Sequence, residues 1–382
     1  MTNALQAETG ITPKRAAKWP EPIFVTKAFL PPLEEYNALM KQVWDNGWVT
    51  NHGPMVREFE KTLVERFGLQ HSVYMVNGTI ALNMAIRALE LKGEIITTAF
   101  THPVTTSSIQ WENCEPVFVD VEEGGFNIDA KRIEERITSR TSAIMATHVY
   151  GLPCDVDAID AIAKRHGLKV IYDGAHAFGT TVNGRSILHA GDVSTTSYHA
   201  TKVFHTVEGG SMHAADFAVH ERIRLMRTMG QVDENFLTPG LNAKTSEMHA
   251  AMGIANLPYY DAILANRKHQ WRRYHSALEP LPVMLAAIPG SNVEYNHSYF
   301  PIVFRDEEQL MRVRTDLNTA NVFPRRYFRP ATTLLPYVDR AGECPVAERL
   351  SASVLCLPLF HDLSDEAIDH VVANIADSLA KG

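Results

Sequence analysis

Three short segments carry residue types that could work together chemically. In Ser197-Tyr198-His199-Ala200-Thr201-Lys202, followed by Glu208-Gly209-Gly210, a lysine lies among small, hydroxyl and glycine residues instead of on a charged helix face. Held as a neutral amine it could condense with an aldehyde, and burial beside a cation lowers a lysine pKa toward that form. Read alone, the segment also fits a solvated surface lysine. In Asp173-Gly174-Ala175-His176-Ala177, a carboxylate could pair with a ring nitrogen and keep it protonated, or cap a following helix. In Asn77-Gly78-Thr79, a glycine turn entering an apolar helical run offers backbone N–H groups and a hydroxyl to a phosphate, and it also fits an ordinary turn.

An amine for an aldehyde, a carboxylate for a ring nitrogen and a cradle for a phosphate are the parts that pyridoxal 5'-phosphate (PLP) requires. Their succession along one chain is the signal, since each alone is weak. A protonated PLP ring is an electron sink, with His176 expected against the ring or its phenolic oxygen.

The elements that must position these segments are legible. Short β-branched runs at Ser72–Val76, Glu94–Thr98, Pro116–Asp120, Ser142–Val149, Lys169–Asp173 and Val193–Tyr198 alternate with helical stretches. That alternation predicts an α/β fold with a mainly parallel sheet covered by helices on both faces. Asp155 caps a predicted helix with Val156, Ile159, Ile162 and Ala163 on one face, stopping at Gly167. The strand after it delivers Asp173 to its C-terminal end, the edge where open α/β sheets bind ligands. Helices are also expected at Leu33–Trp44 and Pro54–Phe67. Residues 1–28, with Pro13, Pro20 and Pro22, read as an arm that is flexible or borrowed by a partner subunit. Residues 29–250 form a large domain, and 251–382 a smaller one with a long helix near Tyr260–Ala277 and a strand at Tyr299–Phe304.

The 382 residues, 45% hydrophobic and 21% charged, allow a substantial core. A formal net charge of -8 gives no overall reason to bind nucleic acid or an anionic membrane. The four cysteines are far apart, as expected of free thiols in the cytoplasm. No run approaches a membrane helix, and no signal-peptide pattern opens the chain. None of the 17 histidines falls in an H-E-x-x-H spacing, so no metal is expected.

From about Phe29 to Ile375 the chain resembles the fold-type I, aspartate-aminotransferase-like PLP enzymes, and within them the DegT/DnrJ/EryC1/StrS nucleotide-sugar aminotransferases. The motifs D-x-A-[QH]-A and S-[FY]-H-x-x-K…E-G-G match Asp173–Ala177 and Ser197–Gly210. The resemblance implies a large domain built on a seven-stranded sheet and a smaller α+β C-terminal domain. It implies phosphate contacts from Gly78, Thr79 and Ser197, a ring-nitrogen partner in Asp173, and Lys202 as the Schiff-base residue. The Gly240–Glu247 segment implies Asn242 reaching the phosphate in a neighbouring subunit, hence a homodimer with shared active sites. His102 stands where the family places an aromatic over the ring. Gly174, where many relatives have alanine, is read as a neutral departure. Lys202 also separates this chain from the family's sugar dehydratases, which carry histidine there.

Leu30–Glu35, Trp44–Thr50 and Tyr172-Asp173 resemble enzymes that aminate C4 of a dTDP-4-keto-6-deoxyglucose, with glutamate as amino donor by family analogy. Amination at C3, another PLP reaction, and a non-catalytic PLP-binding regulator stay open. For the substrate, Arg325, Arg326 and Tyr327 combine cations for a diphosphate with an aromatic, or form a solvated basic stretch. Trp48, Thr50 and His297 lie in segments that the family brings near the substrate.

Overall fold

The computed structural model describes residues 18–381. Seven strands form the central sheet, in the spatial order Ser72–Met75, Gly210–Ala214, Val193–Ser197, Lys169–Asp173, Thr141–Thr147, Glu94–Thr98 and Glu115–Val119. Gly210–Ala214 runs antiparallel to both neighbours, and every other pairing is parallel. The predicted α/β class and mainly parallel sheet are therefore found, with strand ends moved by one or two residues. Gly210–Ala214 is the strand absent from the sequence reading. The expected strand at Ser142–Val149 stops at Thr147, because the chain turns through Val149–Gly151 with Tyr150 at φ 58°.

Helices form where caps and apolar spacing agree. Pro54–Phe67 has proline in its first turn, buries Met55, Val56, Phe59 and Leu63 on one face, and ends at Gly68 in the left-handed conformation. Val156–His166 is capped by Asp155 Oδ1, which accepts from the Ala158 N–H at 3.0 Å, and it stops at Gly167. Burying the Phe59 side chain alone is worth roughly 1.5–3 kcal/mol.

The smaller C-terminal layer pairs Met284–Leu285, Phe300–Val303 and Val354–Leu357 antiparallel, with helices Tyr260–Leu278, Glu307–Thr319 and Asp365–Ala380. Its core is continuous with the large sheet: Phe100, Phe118 and Tyr150 pack in one cluster with Phe300, Phe328 and Leu355. Helix Glu247–Asn256 spans position 250, where the sequence divides the two expected domains.

Of the arm expected at 1–28, residues 1–17 lie outside the described residues. The remainder is held by its own chain, not free: Ile23–Phe24 pairs in parallel with Val322–Phe323, and the Trp19 N–H donates to the Ala320 carbonyl at 3.1 Å. No helix among the described residues is long and apolar enough to cross a membrane.

Candidate active site

The C-terminal ends of the parallel strands open into a cavity of ≈ 430 Å³. Gly78, Thr79, His102, Asp173, His176, Ser197, Lys202 and Tyr327 all line it, so three separate motifs converge on one space. That convergence follows from the sheet. Asp173 is in register with Thr147 on one side and Thr195 on the other, and Ser197 opposes Gly210.

One end of the cavity is an anion cradle. Helix Gly78–Ala88 begins here, and Asn77 Oδ1 accepts from the Ile80 N–H at 2.9 Å. The preceding N–H groups, on Gly78 and Thr79, have no acceptor within the helix. Backbone approach is close: a Cβ on Gly210 would lie 2.6 Å from the Gly78 nitrogen, and one on Gly78 would lie 3.2 Å from the Ser197 Cβ. Glycine at both positions lets the Ser197 strand and the helix N-terminus meet around one ligand group.

At the other end stands Asp173, buried with 4% of its surface exposed. Its Oδ1 accepts from the Ala175 N–H at 3.0 Å and its Oδ2 from the Thr105 hydroxyl at 2.8 Å. No helix follows; Ala175–Gly179 is a turn, so the capping role reduces to this one local bond. Lys202 is partly buried in the cavity wall. Burial pulls its amine down to about 8, and the nearby Asp173 carboxylate opposes that shift. About a tenth of the amine is then neutral at pH 7, roughly a few hundred times the share of an ordinary lysine.

The His176 ring is buried against Phe328 and Tyr299, at centroid distances of 5.6 and 4.7 Å. Burial, then the charge of Lys202, hold its pKa well below the ordinary histidine value. Its Nδ1 accepts from the Tyr150 N–H at 3.2 Å, which leaves the proton of the neutral ring on Nε2 as a donor. His102 is exposed at the cavity wall, where its Nδ1 caps helix Pro103–Trp111 and its ring meets Phe328 edge-on.

The donor set fits PLP. Free N–H and hydroxyl donors suit the phosphate, a depressed amine suits the aldehyde, a buried carboxylate with spare lone pairs suits the ring nitrogen, and a neutral imidazole donor suits the phenolic oxygen.

Other expected residues are not brought into the cavity. Arg326 donates to Glu307 Oε1 at 2.9 Å and to the Ala352 carbonyl at 2.7 Å, so its charge is committed within the C-terminal layer. Arg325 exchanges backbone hydrogen bonds with Cys356, and its exposed side chain does not line the cavity. His297 packs against Trp271 and Tyr295. Trp48 and Thr50 are exposed, with Arg57 over the Trp48 ring. Asn242 is also exposed, and accepts from Lys244 Nζ at 2.6 Å.

Two features escaped the sequence reading. Thr105, one helical turn beyond His102, bonds the Asp173 carboxylate, and a hydroxyl pair in the run Val104-Thr105-Thr106 at a helix start was the available signal. Gly174 is not neutral here. A Cβ would lie 2.3 Å from Leu188 Cδ2 and 2.7 Å from the Thr195 carbonyl oxygen, so alanine needs both the Leu188 side chain and the backbone to shift.

A model of the DegT/DnrJ/EryC1/StrS aminotransferase family matches residues 33–376. The dTDP-4-amino-4,6-dideoxy-D-glucose transaminase of Shigella dysenteriae is 40% identical over 363 residues, 94% of this chain and 99% of that protein. The GDP-perosamine synthase of Caulobacter vibrioides is 32% identical over 340 residues, 86% and 91% of the two chains. Among solved structures, DesI in the presence of its TDP-sugar product matches with a TM-score of 0.90 at 30% identity, covering 99% of this chain and 97% of that one.

Proposed function

From the premise that this chain belongs to the DegT/DnrJ/EryC1/StrS aminotransferase family, and so is a PLP-dependent nucleotide-sugar aminotransferase, we propose that it aminates C4 of dTDP-4-keto-6-deoxyglucose in the cytoplasm, with glutamate as donor. The observation that carries the catalytic part is the Lys202 amine, drawn down to about 8 in a cavity that also holds Asp173 and the anion cradle. The choice of sugar is supported by the 40% identity to a dTDP-4-amino-4,6-dideoxy-D-glucose transaminase over nearly the whole chain.

Bound PLP supplies an electron sink for the bonding pair left when a proton leaves the carbon that carries nitrogen. The chain's own residues do the rest. Gly78, Thr79 and Ser197 hold the phosphate. Asp173 would keep a proton on the ring nitrogen, and His176 Nε2 would donate to the phenolic oxygen. Lys202 Nζ would be placed to take a proton from the carbon that carries nitrogen and to return one. Tyr299, Tyr327 and Phe328 give the cavity an aromatic wall. An intact lysine, aspartate and serine set speaks against a purely regulatory protein.

Asn242 acts in the site of a second copy. The exposed Phe236, Leu237 and Leu241 beside it support pairing of two subunits through this face.

The test supplies glutamate with dTDP-4-keto-6-deoxyglucose, its GDP-linked 4-keto counterpart, or a dTDP-3-keto sugar. 2-Oxoglutarate is followed and the amine position is assigned by NMR. The expected result is a C4 amine, with kcat/KM for the dTDP sugar at least ~10-fold above the others. A preference for the GDP sugar, or an amine at C3, overturns the assignment.

A further inference from the structure

Behind Asp173 lies a run of hydroxyls that the reaction described above does not use. Thr105 Oγ1 is 2.8 Å from Asp173 Oδ2, Thr101 Oγ1 is 2.9 Å from Thr105 Oγ1, and Thr147 Oγ1 is 3.0 Å from Thr101 Oγ1. All four side chains are buried. They come from four different places: the loop after strand Glu94–Thr98, the first turn of helix Pro103–Trp111, and the ends of two strands in register at Thr147 and Asp173. Thr101, Thr147 and Asp173 line the cavity, whereas Thr105 does not.

The direction of each bond follows from proton counting. A carboxylate only accepts, and each threonine has one hydroxyl proton. Thr105 therefore donates to Asp173, which obliges Thr101 to donate to Thr105 and Thr147 to donate to Thr101. The three O–H dipoles align toward one carboxylate, and a chain of this kind strengthens each of its bonds. With Ala175 N–H on one oxygen and Thr105 on the other, the carboxylate is pinned, with its remaining lone pairs available to the cavity.

We propose that Thr105 is a positioning residue for this enzyme, the last member of a one-way hydroxyl relay from Thr147 through Thr101 that fixes the Asp173 carboxylate against the cofactor ring. The inference rests on the assignment of Asp173 to the ring nitrogen made above. Thr105 never touches the cofactor; it acts through Asp173.

The test uses the full chain, stripped of PLP and titrated with it, for wild type, Thr105→Val, Thr105→Ser, Thr101→Val and Asp173→Asn. Readouts are the PLP dissociation constant, the pH titration of the visible band, and melting of the cofactor-free protein. Valine keeps the shape of threonine and removes the donor. Thr105→Val is expected to raise the dissociation constant ~10–100-fold, the worth of a hydrogen bond to a charged acceptor, and to shift the band titration. Thr105→Ser should stay within about 2-fold of wild type, and Thr101→Val should fall between them, as expected for a cooperative chain. For Thr105→Val, kcat should fall while KM for the sugar holds. If Asp173→Asn weakens PLP but Thr105→Val does not, the relay is refuted and the Asp173 assignment stands. If Asp173→Asn binds PLP like wild type, that assignment itself has failed. Equal losses in Thr105→Ser and Thr105→Val would assign the effect to packing and overturn the proposal. Should Thr105→Val not fold, Thr101→Val decides: wild-type affinity and band titration there also overturn it.

Discussion

Asp120 and Asp173 lie at the C-terminal ends of two strands of the same sheet, and both are buried. The difference is in what completes them. Asp120 accepts from three backbone N–H groups, those of Val121, Val346 and Ala347, at 2.8–2.9 Å, and so ties the edge strand to the start of helix Pro345–Ser353. Asp173 accepts from one N–H and one hydroxyl, and the rest of it faces the cavity. The same contrast separates two buried histidines. His213 has Nδ1 at 2.7 Å from the Ser72 hydroxyl and Nε2 at 2.9 Å from the Ser211 hydroxyl, and Ser211 in turn meets Tyr198. His176 has only Nδ1 engaged. Buried polar groups completed by their own chain are scaffold, and those left with capacity toward the cavity are chemistry.

The largest expected effects come from exchanging the two carboxylates for amides. Asp173→Asn should lower kcat at least ~100-fold, comparable to losing a preorganised electrostatic partner, with the melting temperature of the cofactor-free protein little changed. Asp120→Asn should do the reverse, costing about 1–3 kcal/mol of stability through imperfectly satisfied N–H groups while kcat of the folded fraction holds. Steady-state kinetics and urea denaturation on both variants check this. Equal kinetic losses in the two would dissolve the distinction.

A smaller effect sharpens the histidine pair. Burial presses His213 and His148 down to about 3, so both rings fold neutral. The unfolded chain takes up a proton at each below about 6.5, so the stability linked to them is complete above that pH and is lost as pH falls toward about 3. Each ring contributes a slope of up to about 1.4 kcal/mol per pH unit. His213→Gln should flatten the fall of the urea midpoint between pH 6.5 and pH 5 and leave PLP affinity within about 2-fold, whereas His176→Gln should weaken PLP by ~10-fold, one hydrogen bond's worth. An unchanged slope in His213→Gln would remove it from the acid response.

The parts of the site legible in sequence were those carried by local signals. Asp173 ends a strand, and Gly78 and Lys202 lie in the segments that follow theirs, all on the same edge of the sheet. What stayed hidden depended on partners distant in sequence. Thr105 acquires meaning only through the register of Thr147 with Asp173. Two adjacent arginines read equally as a diphosphate clamp or a solvated basic stretch, and the fold gives Arg326 to Glu307, at the start of a helix that sequence periodicity alone does not aim. Gly174 looked interchangeable with alanine because Leu188, which fills the space, approaches only in the fold. Gly210–Ala214, a short strand with small residues at its ends, lacks the β-branched content that marked the others.

The central claim is that the amine at position 202 is the one that binds the cofactor. Borohydride reduction of the PLP-loaded protein, followed by proteolysis and mass measurement, tests it most directly. The pyridoxyl group should be found on the peptide containing Lys202 and be absent from Lys202→Ala. A label on a different lysine, or a wild-type protein that takes none, would contradict the account.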